Sequence, residues 1–246
     1  MSLLKMFNRK HTCWAIIKRF FPNSEYKNKI YSRIIEKYIS KSDILLDAGC
    51  GTGKETLLNY KEKVKFSIGI DISPGIEENN TIHKKVLASV YNMPLHNGCV
   101  DIIVCQELIE HLEWPDKFFK EVARILKPQG IFIMMTPNLI GWRSLISKFT
   151  PYRFHVLMNK ELYNNDKTDV FLTYYKANTF FRIKKLLYGL GFEIIENHCF
   201  EETPGTLAFS TITTYLEIIY TKIIRRYHFL RYLRGIIIIV SKNKKK

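Results

Sequence analysis

The feature that most restricts the fold of this chain is a repeated switch of hydrophobic period across residues 43–138. Short β-branched runs alternate there with segments whose apolar residues recur at helical spacing. Strands are expected at Asp43–Ala48, Val64–Ile70, near Val86–Ala88, at Val100–Cys105 and at Ile131–Met135. The fourth of these carries Val, Ile, Ile and Val with little polar alternation, as a strand buried on both faces does. Helices are expected between the strands. One follows a glycine loop at 49–53, and one opens at Ser73–Pro74, with Ser as N-cap and Pro at the first helical position. One is capped by Asp116 and shows Phe118, Phe119, Val122, Ile125 and Leu126 on one face, with Pro128 and Gly130 stopping it. Alternation of this kind builds an α/β domain with a parallel sheet and right-handed crossovers.

Outside that block the rhythm changes. Residues 1–42 read as an N-terminal helical arm, with a helix from about Glu25 to Ser40. Residues 139–175 show no clear period and read as a cap insertion. Asn178 is the expected cap of a further helix, closed by Gly189 and Gly191, and Phe192–Ile195 begin another strand. Residues 201–234 read as an amphipathic helical insertion before a last strand at Ile236–Val240. Ile212, Leu216, Ile219, Ile223, Tyr227 and Leu230 fall near one face of that insertion, with Lys222, Arg225, Arg226, Arg231 and Arg234 between them. Apolar face plus cations suits an interfacial membrane helix. A helix packed on the sheet, or a homodimer interface, is the more ordinary reading.

The chain is 246 residues long and 46% hydrophobic, enough for a substantial core. Five cysteines are scattered without a C-x-x-C pair, so neither a disulfide framework nor a metal site is expected. No stretch has the length and apolarity of a membrane span, and no signal-peptide pattern opens the sequence. A cytoplasmic protein is the default, peripheral at the inner face of the membrane if the cationic segments meet lipid.

The principal motif is Leu45-Leu46-Asp47-Ala48-Gly49-Cys50-Gly51-Thr52-Gly53. Glycines there let the backbone approach a ligand. The spacing is G-x-G-x-G, not the G-x-G-x-x-G of dinucleotide binding, and Asp47 would repel a pyrophosphate. A carboxylate at that place suits a cationic group, or a loop that needs its N–H groups organised. Asp71 ends the second strand 24 residues after Asp47. An acid at that tip can hold both hydroxyls of a ribose.

With these residues in register, the sequence resembles the class I S-adenosylmethionine-dependent methyltransferases. The resemblance is carried by the D-x-G-C-G-T-G loop, by Tyr91-Asn92-Met93-Pro94-Leu95, by Asp101–Leu112, by Leu126-Lys127-Pro128-Gln129-Gly130 and by Thr136-Pro137-Asn138. It is strong over 43–138 and weaker over 139–200, where Thr173–Thr179 is similar to glycan-cluster methyltransferases. The branch it most resembles holds the ubiquinone-biosynthesis O-methyltransferases and glycan-cluster methyltransferases. The resemblance implies a Rossmann-like, doubly wound, seven-stranded sheet, mostly parallel with an antiparallel last strand and helices on both faces. It assigns residues 43–246 to one methyltransferase domain whose cofactor is S-adenosylmethionine.

It also implies site roles. Gly49, Gly51 and Gly53 would line the methionine part of the cofactor, and Asp47 would order the loop or face the ammonium. Asp71 would bind the ribose diol. Ile72 would pack on the adenine, flanked by Ser89 and Val90; Ser89 stands where the family often has an acid. Gln106 and Leu108 would lie near the methionine moiety. Glu107, Glu110 and His111 follow strand four, in the loop that faces the reacting methyl group. A hydroxyl acceptor gains from a base titrating near neutrality, which suits histidine. His111 is the first candidate base, or a loop histidine that fixes backbone geometry, and His155 in the cap is the second. Tyr174, Tyr175 and Trp142 could line an acceptor pocket or form cap core. Arg143, Arg153 and Arg182 could meet an anionic acceptor or lie at the surface. No metal ligand is expected.

The net charge of +15 is unevenly placed. Residues 1–42 hold 10 basic and 2 acidic side chains; residues 43–138 hold 10 and 13; residues 139–246 hold 18 and 8. The cofactor block is thus mildly acidic, as suits a sulfonium, and the flanks are cationic. The expected acceptor is a small molecule or glycan, lipid-linked or anionic, methylated on oxygen. A quinone-type methyltransferase at the membrane and a non-catalytic scaffold of the same fold are the alternatives. Nucleic acid is disfavoured, because CQEL ends strand four where amino-methylating enzymes carry N/D-P-P-Y/F.

Overall fold

A computed structural model describes residues 3–149 and 172–245. The elements are α1 (Leu3–Phe20), α2 (Lys27–Glu36), β1 (Ile44–Ala48), α3 (Tyr60–Lys63), β2 (Phe66–Asp71), β3 (Lys84–Leu87), β4 (Val100–Gln106), α4 (Pro115–Ile125), β5 (Leu126–Pro137), α5 (Trp142–Phe149), α6 (Phe180–Gly189), β6 (Phe192–Phe200), α7 (Thr211–Arg226) and β7 (Ile236–Asn243). Seven strands form one sheet in the order β3-β2-β1-β4-β5-β7-β6. The first five are parallel, and β7 runs antiparallel between β5 and β6. This is the expected Rossmann-like doubly wound sheet.

Alternate residues of each central strand feed two separate cores. Leu46, Ala48, Ile103, Cys105, Phe132 and Met134 face α4 and α6. Leu45, Ile102, Val104, Ile133 and Met135 face α2 and α3. Both faces are therefore covered, which is why these strands read as continuous apolar runs. Tyr31 of α2 reaches into the sheet, its hydroxyl 3.0 Å from the Cys105 and Ile133 carbonyls and accepting from Cys105 N–H. This pins the N-terminal arm over β4 and β5.

Gly69 lies where β2 meets β1. A Cβ there would sit 2.1 Å from Ile82 Cδ1 and 2.6 Å from Cys50 Sγ, both on buried side chains. Gly69→Ala is expected to lower stability by about 1–3 kcal/mol through overpacking, measurable as a lower urea midpoint. An unchanged midpoint would mean that the glycine loop yields freely.

Several local expectations are corrected. No long helix follows the glycine loop: the chain makes turns to Leu58 and then only the single turn α3. Gly51 and Gly53 have φ of +47° and +75°. The Asn79 amide donates to the Cys50 and Gly51 carbonyls, which a helix would have used for its own N–H groups. Ser73 does cap as expected, accepting from Gly75 N–H, but over a short 3₁₀ helix. Asp116 does not cap α4; Trp114 stands at the N-cap with Pro115 next, and Asp116 pairs with Arg182. Asn178 does not cap α6. Its amide donates to Thr136 Oγ1 and Pro137 O, and Thr179 caps instead. Strand β5 begins directly at Leu126, which pairs with Val100 before a register shift restores pairing at Ile131.

Helix α7 lies between β6 and β7, with the 3₁₀ turn His228–Leu233 after it. Its Ile218, with Ala208 just before the helix, packs on Cys13 and Ile17 of α1 in a small third cluster outside the two main cores.

Candidate functional site

The carboxyl ends of β1, β2 and β4 meet at a switch in strand order, where ligands bind in open α/β sheets. A cavity of about 390 Å³ lies there. Its lining is Gly49, Gly51, Asp71, Ile72, Ser89, Val90, Tyr91, Glu107, Leu108, His111, Leu112, Leu172 and Tyr174. Among the described residues no lysine or arginine lines it, although the chain carries 38 of them.

The glycine loop is held by the acid across from it. Asp71 Oδ2 accepts from Gly51 N–H at 2.8 Å, and Oδ1 accepts from Ser73 N–H at 2.8 Å. The two loops on either side of the cavity are thus tied through one carboxylate. Gly49 has φ +75°, and a Cβ there would come within 3.0 Å of Leu108. A Cβ on Gly51 would meet nothing within 4 Å, so the backbone there faces open space.

On the opposite wall, Glu107 has φ +49°, a conformation few non-glycine residues adopt. Its N–H donates to Met135 O at 2.9 Å, and its carboxylate pairs with Lys27 of α2. Burial alone would lower the Lys27 pKa, but Glu107 and Glu202 together hold it above its ordinary value. His111 Nδ1 lies 3.0 Å from Leu172 O. With Nδ1 donating, Nε2 carries the lone pair, the tautomer that a general base needs. The Glu110 carbonyl accepts from Tyr174 and Tyr175 N–H at 2.8 and 3.1 Å, seating that segment over the cavity.

Two carboxyls near the site titrate abnormally. Burial, and then the neighbouring Asp71 charge, push Asp47 up to about 7. Burial, reinforced by Glu107, pushes Glu110 up to about 8. Glu110 Oε2 accepts from Thr136 Oγ1.

Of the residues singled out from the sequence, Gly49, Gly51, Asp71, Ile72, Ser89, Val90, Leu108 and His111 share this cavity. Asp47, Gly53 and Gln106 do not line it. Asp47 is buried within β1, between Gly69 and Val104. Gly53 turns toward Asn79, where a Cβ would meet Oδ1 at 2.5 Å. Gln106 ends β4 with its Nε2 buried and without a partner among the described residues. His155 and Arg153 lie outside the described residues. Arg143 is committed to Glu202 and Glu217, and Arg182 to Asp116.

Sequence reasoning did not place Tyr91, Leu112 or Leu172 at the cavity. It left Tyr174 open between acceptor pocket and cap core, and gave no role to Lys27. Tyr91 had a readable signal, since it flanks Ser89 and Val90. Its hydroxyl accepts from Glu113 N–H at 2.9 Å, tying two walls together. For Lys27 there was none, because it is 80 residues from Glu107.

Residues 46–134 match the family model of the methyltransferase domain. This part of the chain is similar to methyltransferase domains. Its cofactor is S-adenosylmethionine. A probable S-adenosylmethionine-dependent methyltransferase of Mycolicibacterium smegmatis is 29% identical over 119 residues, 45% of this chain and 44% of that one. The ubiquinone/menaquinone biosynthesis C-methyltransferase of Campylobacter jejuni is 25% identical over 147 residues, 54% and 63% of the two chains. The chain spans about half the length of the curated relatives it matches. Among solved structures, a putative methyltransferase of Haloferax volcanii in complex with the activator Trm112 aligns over 100% of this chain and 99% of that one. Its TM-score is 0.58 at 15% identity, a likeness of fold.

The residues of this cavity fit S-adenosylmethionine. Apolar walls from Ile72, Val90, Leu108 and Leu112 suit a flat aromatic ring. Carboxylates at Asp71 and Glu107, with no lysine or arginine among the described lining residues, suit a diol and a positive charge rather than a phosphate. The open space at Gly51 gives the backbone room to approach a bound group.

Proposed function

We propose that the chain transfers a methyl group from S-adenosylmethionine to a hydroxyl of a small-molecule or glycan acceptor. The observation that carries this reading is that Asp71, the glycine loop and His111 line one cavity, whose described lining holds no lysine or arginine. Bound S-adenosylmethionine would supply an electrophilic methyl group at a sulfonium.

This chain's residues would do the rest. Asp71 would hold the ribose hydroxyls while keeping the Gly49–Gly51 turn in place. Ile72, Ser89 and Val90 would flank the adenine. Gly49, Leu108 and the buried Gln106 amide would bound the methionine end, with Gly53 and Asp47 shaping the loop from behind. His111 Nε2 would take the proton of the acceptor hydroxyl, oriented by the Leu172 carbonyl on Nδ1. His155 remains the second candidate for that role. Tyr174 and Leu172 would exclude water from the reacting pair, which matters because alignment and desolvation carry much of such a displacement.

The acceptor would approach this cavity from a neighbouring cleft. A second cleft of about 680 Å³ is lined by Trp14, Phe21, Tyr26 and Lys27, and Lys27 pairs with Glu107 of the first. Its apolar walls and cationic edge suit an elongated acceptor with an anionic group. A quinone-type acceptor is the second reading, favoured by the Campylobacter jejuni relative and by the aromatic wall of this cleft.

His111→Ala is expected to cut turnover by about a hundredfold, the lower end for a general base, since alignment and desolvation are untouched. Cofactor affinity should stay within about twofold. Radiolabelled methyl transfer to lipid and envelope extracts, with kcat measured on the acceptor so found, checks this. An unaltered kcat would remove His111 as base, and transfer to carbon would favour the quinone-type reading.

A further inference from the structure

Helix α7 presents its aliphatic side outward. Ile212, Leu216, Ile219 and Ile223 recur at i, i+4, i+7 and i+11, and they are 73%, 60%, 53% and 46% exposed. The face toward the protein is the more polar one: Thr214, Glu217 and Thr221 are buried beside Ile218 and Ile224. Glu217 is satisfied there by the N–H groups of Gly205, Thr206 and Leu207 and by Arg143. Periodicity alone would have turned this helix the other way, with its long aliphatic stripe on the sheet. The stripe continues beyond the helix in Tyr227 and Phe229, 50% and 78% exposed.

Charge says what covers it. Lys222 and Arg226 stand exposed beside the stripe, and Lys18 and Arg19 stand exposed on the adjoining α1. Lys222 Nζ sits 4.3 Å from the Phe20 ring centroid, which joins the two helices at this surface. In α1, α7 and the turn at 228–233 the sequence has a single acid, Glu217, and it is turned inward. A second copy of this face would therefore bring cations against cations with no carboxylate to answer them. Anionic headgroups over acyl chains answer both the cationic rim and the apolar stripe. Aromatic residues at the margins of such a stripe suit the headgroup level. No helix among the described residues is long and apolar enough to cross a membrane, so the contact is in the plane.

We propose that α7 docks the protein onto an anionic lipid surface, Ile212, Leu216, Ile219 and Ile223 entering the acyl boundary while Lys222 and Arg226 meet the headgroups. The inference goes beyond methyl transfer and does not depend on it, because vesicle binding is read without cofactor or acceptor.

The test is co-sedimentation of the full chain with vesicles of phosphatidylcholine alone, and of equal parts phosphatidylcholine and phosphatidylglycerol. Binding to the mixed vesicles, weak binding to the neutral ones and loss with salt are expected. Leu216→Asp and Ile219→Asp should each weaken partitioning about tenfold or more. Lys222→Gln and Arg226→Gln should each weaken it roughly fivefold. All four side chains are exposed, so the thermal transition should stay in place, which separates lost docking from lost folding. Failure to bind anionic vesicles, or binding indifferent to the two aspartates, would overturn the proposal. A lipid-free dimer that dissociates in Ile219→Asp would overturn it in favour of a second copy.

Discussion

Asp71→Ala is expected to weaken S-adenosylmethionine binding by roughly a hundredfold to ten-thousandfold while the protein stays folded. The carboxylate sits at the tip of β2, already accepting from Gly51 and Ser73 N–H at 2.8 Å each. Each oxygen can accept more than one bond, so capacity remains for two ribose hydroxyls. Hydrogen bonds to a charged group contribute about 1.5–3 kcal/mol each. Losing two removes about 3–6 kcal/mol, and every 1.4 kcal/mol is tenfold. The loop would also lose its tie to β2, which adds to the affinity loss. Asp71→Asn should fall between. It keeps one acceptor oxygen, but its amide cannot accept from Gly51 N–H while the other oxygen holds Ser73. Titration calorimetry reads all three proteins. Unchanged affinity in Asp71→Ala would remove the ribose assignment, and no binding by the wild type at millimolar cofactor would remove the methyltransferase reading itself.

The sequence made the parallel core legible because burial on both faces leaves a plain mark: Val100–Cys105 has no solvent side to alternate with. Local chemistry also marked Ser73–Pro74, whose cap needs only its own neighbours. What sequence could not resolve was competition from distant partners. Asn178 is as good an N-cap as Thr179, but its amide is taken by Thr136 and Pro137, 42 and 41 residues away. Asp116 could have capped α4 but reaches Arg182 instead. The glycine loop looked like a helix start, yet the Asn79 side chain claims its carbonyls. At the site, the strand-tip residues Gly49, Asp71 and Leu108 were readable because topology alone brings strand ends together. Lys27 was not, since an arm places it, and Tyr174 stayed open between pocket and cap core, since a capping segment places it. Helix α7 shows the same limit: a period of 3.6 defines two faces and does not say which one the protein covers.

The stability of the protein is expected to fall as pH rises from about 4 to about 8, opposite to the usual rise of a protein rich in paired carboxylates. Asp47 is pushed up to about 7 and Glu110 up to about 8, both chiefly by burial. In the unfolded chain both ionise near pH 4. Below that, folded and unfolded states are equally protonated and neither group matters. Between about 4 and 8 the unfolded state sheds these protons first, so unfolding gains with each unit. Above about 8 the folded state has ionised too, and the penalty is complete. For Asp47 a rise to about 7 corresponds to roughly 4 kcal/mol. Carboxylates held below their ordinary range, Glu121 by Arg124 and Glu196 by Tyr38 and His198, are part-exposed and act below about pH 4.5, outside this window. Asp47→Asn should therefore be more stable than the wild type at pH 8 and should lose that advantage by pH 4.5. Glu110→Gln should show the same sign. Its gain is smaller, because an amide placed at the Thr136 hydroxyl must turn to keep that contact. Urea midpoints across this range decide it, and an Asp47→Asn curve parallel to the wild type would show that this carboxyl is already ionised in the fold. A cation bound at the adjoining cavity favours the ionised Asp47, so saturating S-adenosylmethionine should flatten the wild-type curve and leave Asp47→Asn unmoved in shape. That difference links the buried acid to the cofactor, although Asp47 does not line the cavity.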